Sequence, residues 1–282
     1  MDLVIPGGED TLLESLNFSL PPSTSYVQQR RLVSYYPSGA STFSPAGVRV
    51  CRYNINGDWL DPASMRIYGK LSNTGAGVLQ LASGPHCLFS RIRLFIGGTL
   101  VEDLDYYGRS HELFRRKLMP ADWCQIDSVE SGLESASGNG LAQQQLAPGK
   151  TAMFNMQPLL GILNCGKMLP LRLSGGITIE LTLADISDSC VLGTSYELQE
   201  MSVRCATSKL DSALESTFSQ MLMSQKALSL RINTYHTQSQ SLPAGNSDLS
   251  ISLVRAFSRL NALFISFHAS EASYTPPANS QK

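Results

Sequence analysis

Charge is scarce in this chain. Asp, Glu, Lys and Arg make up 16% of its 282 residues, against about a quarter in an ordinary soluble domain. With 22 basic and 23 acidic side chains the formal net charge is −1, which argues against a protein that coats nucleic acid through a broad basic field. No apolar run approaches the roughly 18–20 residues a membrane-spanning helix needs. No basic stretch followed by an apolar one opens the sequence, so no secretory signal is expected. The cysteines, Cys51, Cys87, Cys124, Cys165, Cys190 and Cys205, contain no C-x-x-C pair. Their wide, irregular spacing gives a structural zinc site little support. Cys51, Cys87 and Cys205 fall in apolar strand-like runs, where cysteine acts as a small buried hydrophobe. All six are read as reduced thiols of an intracellular compartment, with disulfides as the alternative.

Residue types that do chemistry are also thin. The four histidines are His86, His111, His236 and His268, with no H-x-H pair. G-R-S-H-E at residues 108–112 lacks the second glycine of a hydrolase elbow. Arg115 stands where a zinc-binding H-E-x-x-H helix needs its second histidine. His111 is therefore read as a helix-surface or interface residue. Glu102, Asp103 and Asp105 are candidates for paired acid/base carboxylates. At a hairpin end entering a helix, they are read instead as caps and partners of nearby Arg. Asn17-Phe18-Ser19 matches a glycosylation sequon, unused without export. No catalytic, cofactor-binding or metal-ligating residue is assigned, and no enzyme activity is expected.

What is present is β patterning. Short apolar or alternating runs at 26–36, 47–55, 64–72, 87–96, 99–103, 151–156 and 195–206 are broken by Gly, Pro, Asn and Asp, as in an all-β sandwich or barrel. Such a length holds one large β domain or two modest ones. Gly97-Gly98 between two such runs signals a two-residue hairpin, since a tight turn needs positive φ. The same expectation is applied to Gly175-Gly176. Neither pair has the phosphate-loop pattern. Trp59, in the break G-D-W-L-D-P, is expected to plug one barrel end. A helix is expected over 106–119, with Glu112 and Arg116 one turn apart and Pro120 ending it. A second is expected over 209–225, where Leu210, Ala213, Leu214, Phe218, Met221 and Leu222 share a face. Between them, 122–148 is a polar insertion, read as a surface feature or disorder.

The order of several words resembles a known family. W-L-D-P at 59–62, F-S-R-I-R-L at 89–94, G-G-x-x-V-E-D at 97–103 and Y-x-R-x-H-E-L-F at 107–114 are similar to the major capsid proteins of double-stranded DNA viruses of the polinton and nucleocytoplasmic large DNA virus kind. The resemblance implies two jelly rolls side by side in one chain. It also implies homotrimeric, pseudo-hexagonal capsomers tiling an icosahedral virion shell assembled inside the host cell, in cytoplasm or nucleus. The expected organisation is an N-terminal arm (1–24), a complete first jelly roll (25–208), a linker helix (209–226) and the beginning of a second jelly roll (227–282). Strands are expected at 227–237 and 248–267. F-S-R-L-N-A-L-F-I at 257–265 loosely echoes the run at 89–96. The rival from another class is a carbohydrate-binding or cupin-like enzyme domain on the same β architecture.

Charge is unevenly placed. Residues 1–24 carry Asp2, Glu9, Asp10 and Glu14 and no base, and Pro21-Pro22 disfavours a central strand. The insertion is acidic as well. Between Arg30 and Lys117 twelve basic residues face six acidic ones. Complementarity between subunits is the favoured account, with a nucleic-acid patch or a solvated face as alternatives. Expected partners are copies of the chain itself and, through the arm, penton or minor capsid proteins, with no sequence-specific nucleic acid. An arm without a role is the competing reading.

Overall fold

A computed structural model describes residues 27–118, 131–137, 140–226, 228, 230, 232–240, 250–253, 255–256 and 259–267. Eight principal strands carry the fold: β1 (Val27–Tyr35), β2 (Val50–Ile55), β3 (Arg66–Asn73), β4 (Phe89–Ile96), β5 (Thr99–Asp105), β6 (Thr151–Met156), β7 (Ile177–Leu183) and β8 (Tyr196–Leu210). They pair antiparallel into two sheets, in the orders β1-β8-β3-β6 and β2-β7-β4-β5. Only the β4–β5 connection stays within one sheet; every other one crosses between sheets. That is the strand order of a jelly roll, the expected fold class. Shorter pieces extend the sheets. Thr42–Phe43 and Trp59–Leu60 pair with β8, and Leu79–Leu81 joins Gln145–Leu146 and Cys190–Leu192 in a small third sheet.

Period-two burial builds the core. In β2, Cys51, Tyr53 and Ile55 are buried while Val50, Arg52 and Asn54 are exposed, and in β7 Ile177, Ile179, Leu181 and Leu183 point inward. They meet Ile92 and Leu94 of β4, Ile67 and Leu71 of β3, Phe154 of β6 and Val203 of β8 in one buried cluster. Each such aliphatic side chain contributes about 1.5–3 kcal/mol. In β8 the alternation changes phase. Tyr196 and Leu198 are buried, then Met201, Val203 and Cys205. A register shift between Gln199 and Ser202, with Glu200 at φ 52°, inserts the bulge that moves the inward set from even to odd positions.

The two glycine pairs have different roles. Gly97 and Gly98 turn β4 into β5 with φ of 55° and 81°, and Ile96 lies opposite Thr99, the two-residue hairpin expected. Gly175-Gly176 is not a hairpin. Residues Leu171–Ser174 form one helical turn, Gly175 ends it at φ 77°, and β7 then pairs with β2 and β4 rather than with the residues before it. A helix C-terminus needs the left-handed conformation as much as a tight turn does. The pairs also pack together, Gly97 N–H donating to Gly176 O at 3.1 Å.

Helix α1 (Tyr107–Leu118) follows β5, and α2 (Ser212–Met223) follows β8, with the Asp211 carboxylate capping Ala213 N–H. Lys209 and Leu210, expected in the second helix, are instead the last residues of β8. Trp59 is buried beside the Phe218 ring of α2, centroids 4.9 Å apart, so it anchors that helix. Within the insertion, Glu134–Ser137 pairs with Gly140–Gln143 as a hairpin. Residues 1–26 and 119–130 lie outside the described residues.

The strands expected at 227–237 and 248–267 are not seen: the described residues of 228–267 form no strand. They run as an irregular strap against the barrel, with Leu260, Leu263, Ile265 and Phe267 exposed. No described strand forms a ladder with the described residues of this segment, so period-two patterning alone does not make a sheet here.

Candidate functional site

The side-chain types of an active site converge under α1. Glu112 Oε2 accepts from Ser83 Oγ at 2.7 Å and lies 2.8 Å from His86 Nε2 and 3.3 Å from Arg115 Nη1. The His86 ring stacks on His111 at 4.4 Å, and His111 Nε2 donates to Gln157 O at 3.1 Å. All five side chains are buried, so His111 is not the surface or interface residue expected. Gly108 is what lets the helix come this close: a Cβ there would stand 3.0 Å from Cys87 Cα. Burial, the neighbouring His86 and Arg115 push the His111 pKa down to about 3, so it is neutral near pH 7.

This cluster is wired for structure. In nucleophilic catalysis the serine meets the base and the base meets the acid. Here serine and histidine both contact the carboxylate, so the three do not form that relay. Cys51, Cys87, Cys165, Cys190 and Cys205 form no disulfide among the described residues. Burial raises Cys190 to about 11 and, with Asp61 adding to it, Cys205 to about 12. A crevice beside Cys87, Tyr106 and Arg109 has about 10 Å³, room for a single water. Among the described residues no three His, Cys, Asp or Glu side chains are grouped to hold a metal ion.

The outer face of the β2-β7-β4-β5 sheet carries a ladder of charge. Arg52 reaches Glu180 at 3.6 Å, Glu180 reaches Arg93 at 3.5 Å, and Asp103 takes Arg93 at 3.8 Å and Arg91 at 2.6 Å. The hydrogen bond from Arg91 holds the Asp103 carboxyl below its ordinary pKa. Elsewhere Arg31 meets Asp58, Arg49 Asp185, Lys70 Glu200, Arg109 Asp188 and Arg115 Glu112. Most of the basic excess expected to serve other subunits is thus paired within the chain. Asp103 and Asp105 pair with Arg91, as their reading required. Within the helix Glu112 pairs with Arg115, three residues on; the side chain of Arg116 lies outside the described ones.

The contacts that hold the strap were not foreseen from the sequence, although Glu102 stood among its candidate carboxylates. Glu102 is buried and accepts from Gly161 N–H at 3.1 and 2.9 Å through its two oxygens, and from Tyr235 N–H at 3.4 Å. Burial pushes its pKa up against these hydrogen bonds. Phe114 of α1 meets the Tyr235 ring at 4.8 Å and the Phe264 ring at 5.0 Å. Thr237 Oγ1 donates to Asp105 O at 2.7 Å, and Asn233 O crosses where a Cβ on Gly161 would stand. One signal was available: Glu102 shares inward parity with Leu104 in β5, and a carboxylate at such a position needs donors.

No family model and no curated protein matches this chain. Solved structures do. PBCV-1 VP54, fitted into a reconstruction of the virophage Sputnik, aligns with a TM-score of 0.47 at 17% identity over 70% of this chain and 46% of that one. The Faustovirus major capsid protein aligns with 0.44 at 8% identity, over 71% and 57%. The mavirus major capsid protein aligns with 0.40 at 10% identity, over 75% and 52%. The chain spans about half the length of the solved structures it matches.

Proposed function

We propose that this chain is a structural subunit of a virion capsid, a non-enzymatic brick whose work is assembly. One observation carries the reading: a closed jelly roll bears an apolar strap, with Leu260, Leu263, Ile265 and Phe267 exposed. An apolar surface of that kind calls for protein cover. The sequence words that resemble double jelly-roll major capsid proteins support the same conclusion. In this reading 227–282 begins a second jelly roll whose remaining strands come from further sequence or another chain. Three copies form a pseudo-hexagonal capsomer, and capsomers tile an icosahedral shell around DNA, assembled in the cytoplasm or nucleus of the host cell. The arm meets neighbouring subunits, penton or minor capsid proteins. A cupin-like or carbohydrate-binding role is disfavoured, because apolar side chains such as Tyr53, Ile92, Leu94 and Ile179 fill the barrel interior. Native mass spectrometry of the purified chain is expected to show a trimer. A monomer across the micromolar range contradicts the proposal.

A further inference from the structure

Among the described residues, β1 is an edge strand of the sheet β1-β8-β3-β6. This strand pairs with β8 from Val27 opposite Leu210 to Tyr35 opposite Val203, and no other described strand pairs with it. Residues Val27 to Leu32 are all exposed, Leu32 at 68%, and Tyr36 beyond the strand at 72%. An antiparallel edge presents the N–H and C=O groups of alternate residues outward, a template for one more strand.

The charges around the edge decide which strand fits. Arg30 and Arg31 lie mid-strand, and Lys209 stands opposite Gln29. Arg31 leans on Asp58 at 3.4 Å and Gln28 on Asp211 at 3.1 Å. Arg30 and Lys209 form no ion pair among the described residues. A second β1 laid antiparallel with the two strands centred on Arg30 and Arg31 would oppose arginine to arginine, which is destabilising. An acidic, alternating strand is favoured.

The chain contains one such segment. Residues 1–24 hold four acids and no base, and within them Leu12, Leu16, Phe18 and Leu20 share one parity with Glu14, while Ser15, Asn17 and Ser19 take the other. In an antiparallel register with Glu14 opposite Arg30, Leu12 falls opposite exposed Leu32. The connection to β1, P-P-S-T-S-Y at 21–26, has no Gly, Asn or Asp to reverse the chain. Its two prolines favour extended backbone over a tight reversal. We propose that the outer edge of β1 is the docking site for the N-terminal arm of a second copy of this chain, which adds residues 12–17 to the sheet as a further antiparallel strand. Backbone hydrogen bonds supply the grip and the Glu14–Arg30 pair sets the register. The proposal rests on the assembly reading only in requiring that copies meet.

The test uses the full chain. Heavy-isotope and light chains, each carrying Leu12→Cys and Leu32→Cys, are mixed, allowed to associate and oxidised. Disulfide cross-links between positions 12 and 32, opposite each other in this register, are expected between heavy and light chains. Arg30→Glu should weaken association about tenfold or more without moving the urea midpoint, since Arg30 has no ion pair to lose. Glu14→Lys in that variant should restore association. Cross-links confined to single chains, or an Arg30→Glu variant that associates like the parent, overturn the arm exchange while leaving the capsid reading intact. A parent chain that never associates overturns both.

Discussion

His111 is the residue whose removal reads the buried cluster most cleanly. Its pKa falls from about 6.5 in the unfolded chain to about 3 in the fold. At pH 7 both states are neutral and the group adds no pH dependence. As pH falls below 6.5 the unfolded chain gains a proton that the folded one refuses until about pH 3, so stability is lost across that window. At pH 5 the difference amounts to about 2 kcal/mol. His111→Gln keeps a donor for Gln157 O but gives up the stack on His86 and the edge contact with Tyr107 at 5.6 Å. That lost packing should cost about 1–2 kcal/mol at pH 7. Urea unfolding of both chains at pH 7 and pH 5 provides the assay. The parent should lose about 2 kcal/mol more than the variant on acidification. Groups common to both chains, His86, Glu112, Arg115, Glu102 and the surface carboxylates, cancel to first order in this difference of differences. Equal acid sensitivity in the two chains refutes a neutral, sealed His111.

Gly97→Val should destabilise by about 2–3 kcal/mol, from positive φ and a Cβ placed 2.7 Å from Ser174 O. Gly98→Asn, with open space around it, should cost under about 1 kcal/mol; thermal unfolding compares the two. Glu102→Ala strands the amides of Gly161 and Tyr235 and should cost about 2–4 kcal/mol. Glu102→Gln keeps an acceptor and removes a buried charge, so it should cost less, and hydrogen exchange at 232–239 should rise in the alanine variant alone. Phe218→Ala removes the partner of Trp59 and should release α2 to proteolysis at a cost of about 1–2 kcal/mol.

The barrel was readable because its strands obey one rule: where alternation is clean, as in β2 and β7, the inward set is visible from residue type. The β8 bulge was not, since Glu200 in the left-handed region leaves no compositional mark. Leu171–Ser174 misled because an apolar run before two glycines suits a strand or a helical turn equally. The buried cluster escaped notice because α1 turns a polar face to the barrel, with Ser110, His111, Glu112 and Arg115 all buried, against the usual amphipathic pattern. Its contacts come from residues far apart in sequence, Ser83, His86 and Gln157. The strap's docking through Glu102 and Phe114 is equally non-local. Residues 250–267 alternate like strands, yet alternation reports a side chain's two faces and says nothing about where the backbone finds its hydrogen bonds.

Negative-stain electron microscopy of the purified chain at assembly concentrations tests the central claim most directly. Hexagonally outlined capsomers, alone or in sheets and shells, are the expected result. A field of dispersed single barrels that persists as concentration rises contradicts the claim that this jelly roll is a capsid brick.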